Sequence, residues 1–212
     1  MISRRNLLLS SAAGPLAAQA ASARPKNILL LIADDLGLHT GEYGDKTAIT
    51  PNLDRMAREG VRFANAFCTT ASCSASRSVI LSGLQNHANG QYGHAHDGHN
   101  FSYLPQIRPT PDLLKDAGYA SAVIAKLHVN PLERFRWDAV IPGGGRNGYE
   151  MARQARKFIQ SAGGKPWYLH VGFTDPHRDF ANRDYPGIKR TPFDSAKVAV
   201  PSFLPDNQPT RE

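Results

Sequence analysis

The sequence predicts an α/β fold built on a mostly parallel sheet, and three observations carry that prediction. Apolar runs at residues 28–33, 120–125 and 167–173 show no polar alternation, the pattern of strands covered on both faces. Stretches with helical spacing separate them, which gives the order strand, helix, strand, helix, strand. Each run also ends in ionisable residues: Asp34-Asp35, then Lys126-Leu127-His128, then Asp175-Pro176-His177-Arg178. Open parallel sheets bind ligands at the carboxyl ends of their strands, so these groups are expected to converge on one rim.

The elements follow in order. Residues 1–23 have the three parts of a targeting leader: Arg4-Arg5, an apolar stretch from Leu7, and small-x-small cleavage sites at Ala18-Gln19-Ala20 and Ala21-Ser22-Ala23. The paired arginines point to the twin-arginine route, which exports folded proteins to the periplasm or beyond. The first strand ends at Asp34. Thr50-Pro51 reads as a helix N-cap and first-turn proline, with Leu53, Met56 and Ala57 on one face until Gly60. Residues 76–81 read as a helix stopped by Gly83, with Cys73 just before its start. Thr110-Pro111 and Gly118 bracket another helix, residues 120–125 form the second strand, and residues 146–162 form a helix with Ala152, Ala155, Phe158 and Ile159 on one side. The third strand covers residues 167–173. Residues 181–212 have no strong period, and the chain contains no internal repeat.

The chain has 212 residues, 41% of them hydrophobic and 20% charged, which fits a globule of one domain and at most two. No run beyond the leader approaches the ~20 apolar residues of a membrane span. The formal charge of +7 falls to +5 without Arg4 and Arg5, which suits an acidic partner. Neither a phosphate-tracking Lys/Arg run nor a nucleic-acid module is present, so a sulfated sugar fits better than nucleic acid. Two cysteines, Cys68 and Cys73, are too few for a disulfide scaffold. Cys68 is expected to be a small core residue.

Two adjacent carboxylates after a buried strand repel one another unless a cation neutralises them. Asp34 and Asp35 are therefore either a solvated turn or the oxygen ligands of a hard ion, Ca²⁺ first and Mg²⁺ second. His94, His96 and His99 either hold zinc or line a pocket; the lack of a clear fourth ligand favours the pocket.

Cys73-Ser74-Ala75-Ser76-Arg77 resembles the Cys-x-Pro/Ala-x-Arg signature of type I sulfatases, with Ala75 where proline is commoner. Lys126 and His128 resemble the family's Lys-x-His pair, although Ala125 stands where glycine is usual, and His177 resembles its second active-site histidine. The stretch from Gln85 to Gly93, the histidine-rich run through Phe101, and Asp175 to Arg178 are similar to the branch that cleaves the N-sulfate of glucosamine in heparan-type chains.

The resemblance implies an alkaline-phosphatase-like sheet sandwiched by helices, with residues 24–212 as the N-terminal part of a longer catalytic domain. It implies that a maturation enzyme converts Cys73 to formylglycine, and that Asp34, Asp35 and the modified Cys73 bind calcium. Arg77 and Lys126 then hold sulfate charge, His177 protonates the leaving atom, and His128 takes a proton as sulfate departs. Arg178 and His99 are candidate substrate contacts. The family completes its metal site with a later Asp-Asn or Asp-His pair, which is expected to lie beyond Glu212. An O-sulfatase, a phosphonate or phosphodiester hydrolase of the same superfamily, and a non-catalytic glycan binder are the alternatives. Oligomeric state is left open.

Overall fold

The structure is a computed structural model that describes residues 24–96, 98–178 and 194–211. The expected leader, residues 1–23, lies outside the described residues, as does part of the stretch expected to lack a period.

Four parallel strands make one sheet: β1 (Ile28–Asp34), β2 (Ala120–Ala125), β3 (Ala139–Ile141) and β4 (Trp167–Pro176), in the spatial order β1-β4-β2-β3. The helices are α1 (Pro51–Glu59), α2 (Cys73–Ser82), α3 (Asn86–Asn89), α4 (Thr110–Asp116), α5 (Gly148–Ser161) and α6 (Gln208–Arg211). The α/β prediction therefore holds. β3 had no sequence signal, since three residues are too few to show a period.

Apolar side chains alternate between the two sheet faces and gather in two cores. Leu81, Val123, Leu127, Phe135, Trp137 and Tyr168 pack on the face of α2 and α4. Ala122, Ile124, Leu169 and Val171 pack with Met151 and Phe158 of α5 on the other. Each fully buried aliphatic side chain contributes about 1.5–3 kcal/mol by leaving water. In the middle of β4, His170 is fully buried, its ring edge-on to Trp137 at 6.1 Å. Both of its ring nitrogens lack a partner among the described residues.

Two burial expectations fail. The run from Ile28 was predicted to be covered on both faces, yet Leu29 is 52% and Leu31 45% exposed, because β1 is the edge strand of the described sheet. Cys68 is exposed rather than in the core, because it sits in the irregular segment before α2 rather than on an element that packs.

Helix starts also differ in instructive ways. Thr50 makes no cap bond; its hydroxyl accepts from the Gly41 N–H at 2.8 Å and donates to Asp54 at 3.1 Å. Pro109 is the N-cap of α4, and the Thr110 hydroxyl instead donates to the Leu81 carbonyl at 2.7 Å, tying α4 to the end of α2. The Asn147 side chain accepts from the Glu150 N–H, so α5 begins at Gly148 and releases Arg146 for other contacts. No helix among the described residues is long and apolar enough to cross a membrane.

Candidate active site

Because β1, β4 and β2 are parallel neighbours, the residues after them share one edge of the sheet. The β1–β4 register slips between Ile32 and Asp34, and such a bulge re-aims the side chain beyond it. Asp34 is buried there. Its carboxylate meets the Arg77 guanidinium at 3.3 Å and the Lys126 ammonium, while Arg77 also donates to the Lys126 carbonyl at 3.0 Å. β2 and β4 come close enough that a Cβ on Gly172 would collide with the Lys126 carbonyl.

Backbone strain gathers on this rim. Asp35, Ala125 and His128 are all left-handed, at φ 62°, 62° and 57°. Such conformations cost about 1–3 kcal/mol each in residues other than glycine. Ala125 shows why glycine is usual at its position, and the three strained residues cluster where Asp35 lines the Cys73 cleft, Lys126 meets Asp34 and His128 stacks on His96.

Cys73 is the first residue of α2 rather than lying just before it. Ser72 stands at the N-cap in an extended conformation with no side-chain cap bond, so the leading N–H groups face the site without a capping oxygen. Asn86 fixes this start. Its amide donates to the Ala75 and Gln91 carbonyls at 2.9 and 2.7 Å, and its carbonyl accepts from Thr69 and Thr70, both at 2.8 Å. The Ser74 hydroxyl accepts from the Ala95 N–H at 3.1 Å, joining α2 to the histidine-rich loop.

His177 faces the same cleft, and ligand atoms of Asp34, Cys73 and His177 lie within 4.8 Å of one another. Arg146 holds this turn: it pairs with Asp175 and donates to the carbonyls of His177 and Arg178, both at 3.1 Å. Sequence reasoning missed Arg146, because it acts through main-chain carbonyls and has no residue-type signature. The cleft beside Cys73 is about 430 Å³ and is lined by Asp34, Asp35, Ser72, Ser76, Arg77 and Cys68 among others.

Burial pushes the Asp34 carboxyl up, but the Lys126 hydrogen bond and the charges of Arg77 and Lys126 outweigh it and hold the group below the usual range. Burial and the Asp34 and Asp35 charges push the Cys73 thiol up against the pull of Lys126, so it is a poor source of thiolate. Burial, then Lys126, His96, Arg77 and His94, bring His128 down to about 4, which leaves its ring neutral at pH 7.

The remaining residues divide. The His128 ring stacks on His96 at 4.8 Å and lies 6.2 Å from His94. His99 is exposed, with its ring 6.4 Å from His94 and no place in the lining of the Cys73 cleft. Arg178 is exposed and meets Arg146 through its carbonyl. The donor set fits a hard divalent ion: an ionised buried carboxylate, a second carboxylate on the same cleft wall, and a residue at the helix start that can offer oxygen once modified.

A sulfatase family model matches residues 26–200. Human N-sulphoglucosamine sulphohydrolase is 36% identical over 89% of this chain and 43% of its own length. Dog N-acetylgalactosamine-6-sulfatase is 40% identical over 62% of this chain and 26% of its own. This chain thus spans less than half the length of these relatives. Among solved structures, a protein in complex with its substrate D-glucosamine-2-N,6-O-disulfate superposes with a TM-score of 0.63 over 75% of this chain and 36% of that one, at 24% identity. An i-CgsB structure with a neocarrahexaose ligand gives a TM-score of 0.65 over 79% of this chain and 50% of that one, at 22% identity. These structural likenesses speak for the fold alone.

Proposed function

The chain belongs to the sulfatase family, and from that premise we propose that it hydrolyses the N-sulfate of a glucosamine residue in a heparan-type saccharide. The observation that carries the reading is Cys73 at the start of α2, beside Asp34 and His177 and within reach of Arg77 and Lys126. The choice of the N-sulfate is supported by the name of the 36% identical human relative.

Two groups supply chemistry that the side chains lack. Asp34 and Asp35 would hold a divalent ion, Ca²⁺ by preference, which would supply polarisation of sulfate oxygens, and formylglycine made from Cys73 would offer a diol able to attack sulfur and later expel sulfate. The raised pKa of the Cys73 thiol supports the need for this conversion, since few thiolates form at pH 7. Arg77, fixed by Asp34 and by the Lys126 carbonyl, and Lys126 hold negative charge that grows on the sulfuryl oxygens. His177, set by Arg146 through the neighbouring carbonyls, gives a proton to the leaving nitrogen. His128, neutral at pH 7, takes a proton as sulfate leaves. Export behind the residue 1–23 leader, after maturation in the cytoplasm, completes the reading.

The test is sulfate release by the intact protein from N-sulfoglucosamine, 6-O-sulfated N-acetylglucosamine and a phosphate ester. The N-sulfate is expected to give the highest kcat/KM. A higher value for the O-sulfate overturns the substrate, and a higher one for phosphate overturns the reaction class. Mass spectrometry of the Cys73 peptide from active material is expected to show formylglycine. An intact thiol there would sink the mechanism.

A further inference from the structure

We propose that His94, His96 and His128 form a second metal site, which takes a borderline cation such as Zn²⁺ and is chemically distinct from the carboxylate cleft. Ring nitrogens of the three side chains all lie within 4.8 Å of one another. Imidazole nitrogens around zinc at about 2.0–2.1 Å lie roughly 3.3 Å apart, so binding draws the three rings together. The sequence had grouped His94 and His96 with His99. The fold replaces His99, which is exposed, with His128, which the left-handed turn after β2 carries under His96.

Two further observations point to a ligand. The Nδ1 atoms of His94 and His128 are buried with no hydrogen-bond partner among the described residues. An orphaned buried acceptor costs about 1–3 kcal/mol, and coordination would satisfy both at once. The surroundings that keep His128 unprotonated also keep it in the form that binds metal.

The donors decide which ion. Neutral imidazoles select zinc, copper or nickel, whereas calcium takes oxygen, so the two sites need not compete for one metal. Three protein ligands leave a fourth position for water. Lys126 and Arg77 lie close enough to depress the His128 pKa, so the same positive field weakens the cation. Occupancy takes the His128 ring out of hydrolysis, a consequence that rests on the proposed function, whereas binding itself does not.

The experiment titrates zinc chloride into the purified intact protein with calcium in excess, by calorimetry, and repeats it with Co²⁺, whose visible bands report imidazole coordination in a four-coordinate site. One saturable zinc per chain is expected. His94→Gln combined with His96→Gln should weaken it at least tenfold with circular dichroism and calcium binding unchanged, while His99→Gln should leave it intact. Equal zinc affinity in the double variant, loss on His99→Gln, loss on Cys73→Ser, or no saturable binding overturns the site. Zinc bound without loss of sulfate release sustains the site and removes His128 from the reaction.

Discussion

Two clusters of ion pairs contrast in this molecule, one on the site rim and one on the outer face of α4. On the rim, Asp34 meets Arg77 and Lys126 with side chains 7%, 2% and 16% exposed. On α4, Asp116 meets Arg108 and Arg136, all three about half exposed, while Arg136 also meets the more shielded Asp112, at 13%. The residue types are the same and the water is not. Buried charges interact strongly but are held only while every partner is present, because each has lost its hydration. Asp116, Arg108 and Arg136 keep their hydration and are screened by salt. A functional anion site needs the first arrangement, with cations fixed before the substrate arrives.

Arg77→Met tests the rim most severely. It leaves the buried Asp34 with Lys126 alone, and removing one partner of a buried pair costs about 3–5 kcal/mol. Urea unfolding at pH 7 should show this loss, and sulfate release should be abolished. The sign with pH follows from the lowered Asp34 pKa. A carboxyl held down in the folded state stabilises fully above its ordinary value near 4 and loses that contribution as pH falls through the folded-state value. The gap between wild type and variant should therefore close in acid. A variant as stable as wild type at pH 7 would show that the rim ions are not energetically coupled.

His170 sharpens the contrast, since it is buried like the rim but its ring nitrogens have no hydrogen-bond partner among the described residues. Burial, then the Arg77 charge, brings its pKa from 6.5 down to about 4. Between those values the unfolded chain binds a proton that the folded chain refuses, so stability falls as pH drops through that window and is level above it. His128 titrates with the same sign and contributes to the same loss. His170→Phe keeps the ring and removes the proton, and should lessen the destabilisation at pH 5 relative to pH 7.5 by about 1–2 kcal/mol. Identical pH dependence of Tm in wild type and variant would place the acid sensitivity elsewhere.

The rim was legible in the sequence where local pattern coincides with chemistry. Apolar runs located β1, β2 and β4, and polar residues at their ends could only meet once the strands were parallel. The Cys73 to Arg77 stretch carried its own signature. What stayed hidden depends on contacts distant in sequence. His128 joins His94 and His96 only after β2 enters the sheet, and Arg146 works through the carbonyls of His177 and Arg178. An apolar run also says which faces can be covered but not what covers them, which is why Leu29 and Leu31 were expected inside. Cys68 was misplaced because residue type alone stood in for position.

The α4 cluster should respond least, and its small response is the other half of the comparison. Arg136 joins Asp112 at 3.2 Å and Asp116 at 2.7 Å, and Arg108 also meets Asp116, so the geometry alone suggests a strong network. The pairing does hold the Asp116 carboxyl below its usual range, through the Arg136 hydrogen bond first. Yet Asp116 and Arg136 remain bathed in solvent, where water replaces any partner that is removed. Asp116→Asn should therefore barely change the unfolding midpoint in dilute buffer, and the difference should vanish in about 0.5 M salt, where charges are screened within a few ångströms. Arg136→Gln should behave alike, apart from its second hydrogen bond to the Asp112 carbonyl at 3.0 Å. A loss as large as that of Arg77→Met, or one indifferent to salt, would show that hydration does not separate the two clusters and that the rim owes its coupling to geometry alone.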